Sequence, residues 1–581
     1  MNSSLKKLTS LLSILLFVAV FFTGCISNET VMVEMRDGIR LATDVYLPSE
    51  DGLPHGTLVV RTPYNKNDMR DLGKTWAKLG WPTVIQDMRG RYESEGIDTV
   101  FRNAHTDGPD TLNWIADQSF SNGKIATFGG SALGINQYYM AGANPDYLSC
   151  QYVQVASPNL YNTGVQQGGQ LRWSLVPRWL EGQNSLYMLD EYLAHENYTL
   201  DYWGNVSLEG KWDQVNVPAI HIGGWYDCFA QGTINGFMGY QHQGGIGAQG
   251  NSKLIMGPWT HSGGQEQGEL VYPENAMDNF SIYMFSDMIE QYTMNDGNRF
   301  DEWPSVLYYL MGDVTNTSAP GNVWLSADDW PVPYEEVSVF MTPSNELTVS
   351  QPTFSDSFTY EYNPKDPVPT FGGQNLNIER GPYDQRIVEN REDVLVFSTD
   401  VLTEPVWIAG PVKARLFVTS DCVDTDFTVK LTDVYPDGRS MLITDGILRM
   451  RNRNGFDHWE FMNPGEVYEV EIDLWSTAYL FNEGHKIRVS ISSSNSPRFL
   501  PNPNTRDGWL KNESYQVAEN TLFVGSEYPS QIVFPLVMLD YEKEVKQSSA
   551  KMMKLKQDFL LAHPVFQLME NDFSQDMMKI D

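Results

Sequence analysis

The stretch GKIATFGGSALG, Gly123 to Gly134, decides how the chain is read. An apolar, strand-forming run leads into two glycines and Ser131, and the helix-compatible INQYYMAGA follows. A serine held between a strand and a helix sits on a sharp turn, so small residues are needed where the two elements approach. Gly129, Gly130 and Gly134 meet most of that need, while Leu133 stands where the general G-x-S-x-G pattern has glycine. Ser131 is thus a candidate nucleophile, with an ordinary serine in a glycine-rich loop as the competing assignment. A serine hydroxyl needs a base within hydrogen-bond reach and a third group to orient that base.

Working outward, VMVEMRDGIRLATDVYLP (31–48) alternates in the strand period on both sides of Asp37-Gly38, a hairpin signal. Short apolar runs then recur at 56–64, 81–90, 123–131, 150–158, 217–227 and 253–261. Continuous apolar strands are buried on both faces, as in a mostly parallel sheet covered by helices. An α/β-hydrolase fold is expected over 26–158 and 213–319, with a helical cap inserted at 159–212, a stretch too long for an ordinary crossover. From about residue 320 short alternating strands with Pro/Gly turns predict an all-β sandwich to residue 540, and 541–581 reads as a helical extension.

In such a fold the order is nucleophile, acid, base, each at the carboxyl edge of the sheet. Asp227 follows the strand AIHIGGWY and His261 follows KLIMGPWT. Of nine histidines, His55 and His105 precede the serine, His195 sits in the cap, His221 is mid-strand, His242 lies in a helix-to-loop segment, and His458, His485 and His563 belong to later segments. Topology therefore selects His261. Asp227 is preferred over the cap residues Asp190 and Glu191, which precede any later strand end.

The chain has 581 residues, enough for two or three domains, and a formal charge of −34 from 74 acidic and 40 basic residues. Scattered acidity without a basic stripe argues against a nucleic-acid partner. Lys6 and Lys7 precede the uncharged stretch Leu8 to Gly24, which has the form of an export signal. FTGC, ending at Cys25, resembles a lipobox with Phe in place of the usual Leu, so a lipid anchor on Cys25 and an extracytoplasmic body are expected. An uncleaved membrane anchor is the alternative, since about 17 uncharged residues reach spanning length. Only Cys150, Cys228 and Cys422 remain, so there is no disulfide framework, although strand-end positions make a Cys150–Cys228 bridge imaginable. No CxxC or His-rich cluster suggests a metal, and no cofactor is called for.

RTPYNK (61–66), QDMRGRYESEG (86–96), GGSALG (129–134), GGWYDCF (223–229) and GPWTH (257–261) together resemble the cocaine esterase and X-Pro dipeptidyl-peptidase family, which includes α-amino acid ester hydrolases. The likeness continues through DPVPTFGG (366–373), GPYDQR (381–386), DTDFTVKLTDVYPDGR (424–439) and DGILRMR (445–451). It implies an α/β-hydrolase domain, a helical cap and a C-terminal jelly roll. It also implies a catalytic Ser131, Asp227 and His261, with an oxyanion hole made by the Tyr64 hydroxyl and the backbone N–H of Ala132. The family usually places Tyr directly after the nucleophile; Ala132 leaves the backbone donor intact and thins the pocket wall.

A small ester, amide or short peptide is the expected substrate, cleaved through an acyl-enzyme. X-Pro dipeptidyl-peptidase activity or α-amino acid ester hydrolysis is the alternative within this class: the first needs a group for a free N-terminal ammonium, to which no residue is assigned, and the second needs carboxylates at the pocket, for which the cap residues Glu181, Asp190 and Glu191 are candidates. A non-catalytic surface-binding lipoprotein is the alternative outside it. Trp173, Trp179, Trp225 and Trp259 are candidates for lining the pocket. Asp87, Arg89 and Arg91 are read as an ion-paired loop bracing the active edge.

Overall fold

The computed structural model describes residues 27–48, 55–509 and 514–563. The export segment and Cys25 lie outside these residues, as does 564–581. Among the described residues no helix is long and apolar enough to cross a membrane.

Ten strands make the first sheet: β1 (Ser27–Glu34), β2 (Arg40–Leu47), β3 (His55–Thr62), β4 (Thr83–Asp87), β5 (Ser121–Gly130), β6 (Leu148–Gln154), β7 (Ala219–Gly224), β8 (Lys253–Gly257), β9 (Val306–Leu310) and β10 (Val323–Ala327). Their order is β1-β2-β4-β3-β5-β6-β7-β8-β9-β10. The opening hairpin is antiparallel, as Asp37-Gly38 predicts, and from β4 to β9 every neighbouring pair is parallel. Side chains alternate across a strand, so both faces of these apolar runs are used. Val60, Ile85, Ala126 and Tyr152 pack into one core, and Val59, Val84, Ile125 and Val153 into the other. The helix after the elbow, Ala132–Ala141, is buried along its whole length.

Between β6 and β7 the chain forms a π-helical turn, Tyr161–Val165, and short helices at Val176–Gly182, Tyr187–Ala194 and Leu200–Trp203. The second domain is two antiparallel sheets. One contains Glu335–Met341, Asp356–Tyr362, Val406–Ser420, Tyr468–Phe481, Ala518–Val524 and Gln531–Leu536. The other contains Leu395–Ser398, Asp426–Val434, Ser440–Arg449 and Lys486–Ser492.

One boundary moves. β10 lies beyond residue 320, yet it pairs antiparallel with β9 and so closes the hydrolase sheet instead of opening the sandwich. A sheet edge exposes unpaired backbone donors. The C-terminal helix Tyr541–Ala562 partly covers this one: Ser548 Oγ accepts the Ser326 N–H at 2.9 Å, and Phe559 stacks on Tyr283 at 4.6 Å.

Candidate active site

Ser131 occupies the turn between β5 and its helix with φ 54° and ψ −127°, a conformation rare for a residue with a side chain. Its N–H donates to the Gln154 carbonyl at 2.9 Å, tying the turn to β6. The glycine pattern has a steric reason. A Cβ on Gly129 would lie 2.5 Å from Leu133 Cβ, and one on Gly134 would lie 2.7 Å from Ala156 Cβ. Leu133 is accommodated at its unusual position because residue 129 has no side chain. Ala132 opens the helix, so its N–H belongs to the first-turn amides that have no intrahelical partner.

Asp227 and His261 follow β7 and β8, which are adjacent and parallel. Their loops are laced together: Trp225 N–H donates to Gly257 O at 2.9 Å and Tyr226 N–H to Trp259 O at 3.0 Å. His261 Nδ1 lies 2.5 Å from Asp227 Oδ2, and the Phe229 N–H donates to Asp227 Oδ1 at 2.8 Å. Both carboxylate oxygens of a fully buried aspartate are therefore engaged. Burial disfavours the His261 imidazolium, but the Asp227 carboxylate and neighbouring Cys228 outweigh it and hold the ring above its ordinary value. Cys228 Sγ stands 3.6 Å from His261 Nδ1. The donor atoms of Asp227, Cys228 and His261 lie within 4.8 Å of one another. Asp227 and His261 are spent on each other, which suits a proton-handling pair better than an ion cage.

Tyr64 follows β3, with its N–H bonded to Thr62 Oγ1 at 2.9 Å, and its hydroxyl accepts the Trp179 indole N–H at 3.0 Å. Burial raises the phenol above its ordinary value against the opposing hydrogen bonds with Trp179 and Ser131. Tyr64 thus stays protonated beside the serine, as an oxyanion donor requires.

The chain resembles the cocaine esterase of Rhodococcus sp. (strain MB1 Bresler), being 33% identical over 588 residues that cover 88% of this chain and 98% of that protein. It belongs to the cocaine esterase and X-Pro dipeptidyl-peptidase family of serine hydrolases. The family model for X-Pro dipeptidyl-peptidase (S15 family) matches residues 37–187 and 178–263, and that for the X-Pro dipeptidyl-peptidase C-terminal non-catalytic domain matches 298–533. Solved structures share the fold. An aminopeptidase from a marine sediment Thaumarchaeota archaeon superposes with TM-score 0.77 at 23% identity, covering 88% of this chain and 97% of that one. An α-amino acid ester hydrolase superposes with TM-score 0.76 at 24% identity, covering 89% and 97%.

Within this family fold, a cavity opens beside Ser131 and Ala132. Its lining is apolar, with Val100, Phe101, Ile135, Leu160, Val165, Leu175, Val176, Leu180, Phe229 and Leu376 contributing alongside Trp179 and Tyr192. Val100 and Phe101 have φ of 46° and 63°, so this wall rests on a strained turn. Most of these residues lie in the cap or in loops, where no periodicity marks them.

Of the four tryptophans proposed for the pocket, only Trp179 lines it, stacked on Phe101 at 5.6 Å. Trp225 and Trp259 face the opposite core. Their indole N–H groups donate to Tyr309 O at 2.8 Å and Ala276 O at 3.1 Å. Trp173 is half-buried in the cap core and does not reach the cavity. Glu181, Asp190 and Glu191 are exposed on the cap, and among the described residues no carboxylate lines the cavity. Cys150 and Cys228 are free, buried thiols, so the imagined bridge is absent. His221, buried in β7, pairs with the Tyr138 hydroxyl at 2.8 Å and is pushed down to about 3 by burial.

The bracing loop holds Tyr64 from below. Asp87 Oδ1 accepts the Lys66 N–H at 2.7 Å, Arg91 Nε donates to Pro63 O at 3.0 Å, and Arg91 also reaches Gln183 of the cap. Arg89 bonds Asp107 and Asp37. The jelly roll grips the acid loop from the other side: the Tyr226 hydroxyl donates to Leu442 O at 3.0 Å, and Gln374 Nε2 to Trp225 O at 3.4 Å.

Proposed function

We propose that this serine hydrolase cleaves esters, and more slowly amides, whose acyl group is apolar and uncharged. The observation that carries this is the pairing of His261 Nδ1 with Asp227 at 2.5 Å, at the sheet edge that bears the Ser131 elbow and the apolar cavity. Ser131 Oγ attacks the carbonyl while His261 takes its proton through Nε2. Asp227 fixes the tautomer with Nδ1 protonated and balances the transient imidazolium. The Tyr64 hydroxyl and the Ala132 N–H receive the oxyanion. His261 then returns the proton to the leaving group, and water repeats the sequence on the acyl-enzyme.

An ammonium buried without a carboxylate is strongly disfavoured. The apolar lining and the exposed cap carboxylates therefore support simple esters over X-Pro dipeptides or α-amino acid esters. A rate panel of p-nitrophenyl esters, Gly-Pro-anilide and amino-acid esters tests this; preferential turnover of a substrate with a free ammonium would overturn it. Ser131→Ala should abolish turnover and fluorophosphonate labelling while keeping the fold.

We also propose that the chain is exported and lipid-anchored at Cys25, on the strength of the Lys6-Lys7, Leu8 to Gly24 and FTGC pattern. Mass spectrometry of the mature N-terminus tests it; a chain beginning at Met1 without a lipid would refute it.

A further inference from the structure

Arg172 sits where the cap, the acid loop and the jelly roll meet. It is 2% exposed, and no direct ion pair of its guanidinium is found among the described residues. Nη1 donates to Thr163 O of the cap at 2.8 Å and Nη2 to Cys228 O at 2.7 Å. Its Cζ lies 5.9 Å from the Phe229 ring and 5.7 Å from the Trp475 ring. Burial pulls its pKa down to about 10, so it remains a cation at neutral pH. A buried charge with neutral partners is expensive, and an aliphatic side chain would fill the same space at lower cost.

What it holds is one peptide. The carbonyl of the Cys228–Phe229 peptide receives Arg172, and the N–H of the same peptide donates to Asp227 Oδ1 at 2.8 Å. Asp227 Oδ2 faces His261 Nδ1 at 2.5 Å. Guanidinium, peptide, carboxylate and imidazole thus form one unbroken chain of hydrogen bonds.

We propose that Arg172 is a positioning residue for the catalytic base: its planar fork pins the Cys228–Phe229 peptide between cap and acid loop, and that peptide fixes the Asp227 rotamer that orients His261. The proposal rests on the assignment of Ser131, Asp227 and His261 as the catalytic triad. Two carbonyls from separate segments are spanned by one rigid group, a task for which the single ammonium of lysine is unsuited.

Arg172→Met and Arg172→Lys test it, with kcat, KM and thermal midpoint measured for each on a p-nitrophenyl ester. Small misplacement of reacting groups costs up to about 100-fold in rate. The expected result is a fall in kcat of about 10- to 100-fold for Arg172→Met, little change in KM, and at most partial recovery in Arg172→Lys. A lowered midpoint with wild-type kcat per folded molecule would make Arg172 merely structural and overturn the proposal. Full recovery by lysine would assign the effect to charge alone and also overturn it. If Arg172→Met does not fold, the lysine variant decides by the same criterion, and failure of both to fold counts against a positioning role. Ser131→Ala, run in parallel, reports on the triad itself: turnover surviving there would remove the assignment on which the proposal stands.

Discussion

The indole N–H of Trp179 donates to the Tyr64 hydroxyl at 3.0 Å, so a cap residue fixes the group proposed as the oxyanion donor. With one lone pair of the phenol occupied from the cap, its O–H is left to point toward the serine. Trp179→Phe keeps the aromatic wall and removes the donor. It should lower kcat by about tenfold, against about 10² to 10³ for Tyr64→Phe. Because the two act on one hydrogen bond, the double variant should be little worse than Tyr64→Phe alone in initial-rate measurements.

Gly224 ends β7 where the acid and base loops meet, and a Cβ there would lie 2.1 Å from the Trp259 carbonyl oxygen. Gly224→Ala should destabilise the protein by about 1 to 3 kcal/mol, as overpacking does. Because the strain falls between Asp227 and His261, turnover per folded molecule should fall as well. Denaturant titration and active-site labelling separate the two effects.

Ala132 lines the cavity next to the nucleophile. Ala132→Tyr should narrow that wall, raising KM about tenfold for a bulky acyl ester, a cost comparable to about one methylene of lost pocket, while acetyl ester turnover changes less. Side-by-side Michaelis curves for acetyl and benzoyl esters give the answer. Equal effects on both would place the acyl group elsewhere.

His485 lies between two carboxylates, with Nδ1 2.9 Å from Asp433 and Nε2 3.5 Å from Asp313. Burial works against its charge, but the two acids raise it to about 9. The folded value lies above the unfolded value of about 6.5, so its stabilisation is complete below that pH and is lost as pH rises through 9. The loss should be on the order of 3 kcal/mol between these limits. The difference in unfolding free energy between wild type and His485→Gln should shrink across this range; taking the difference cancels the contribution of Lys253 and Lys430, both pulled down to about 8 by burial.

Much of this architecture was legible in the residues, for identifiable reasons. GKIATF before Ser131 and INQYYMAGA after it bracket the elbow, and Asp227 and His261 close continuous apolar runs that have to be buried strands. β9 and β10 escaped that logic. The 306–310 strand comes after the base, and Val323–Ala327 follows a Pro-Gly turn that looks like the start of the sandwich. Trp225 and Trp259 precede the acid and base by two positions, but the strands have ended there, and turn geometry sends the rings to the far core. Arg172 left no trace because both of its hydrogen-bond acceptors are backbone carbonyls, which every residue possesses.

The bond from the Tyr226 hydroxyl to Leu442 O reaches from the residue before the acid into the β domain. A recombination event that exchanged the sandwich alone would sever that grip and the packing of Arg172 against Trp475. The two folds are mechanically one part, and chimaeras with a crossover between them should refold only when the donor sandwich brings a matching socket for Tyr226.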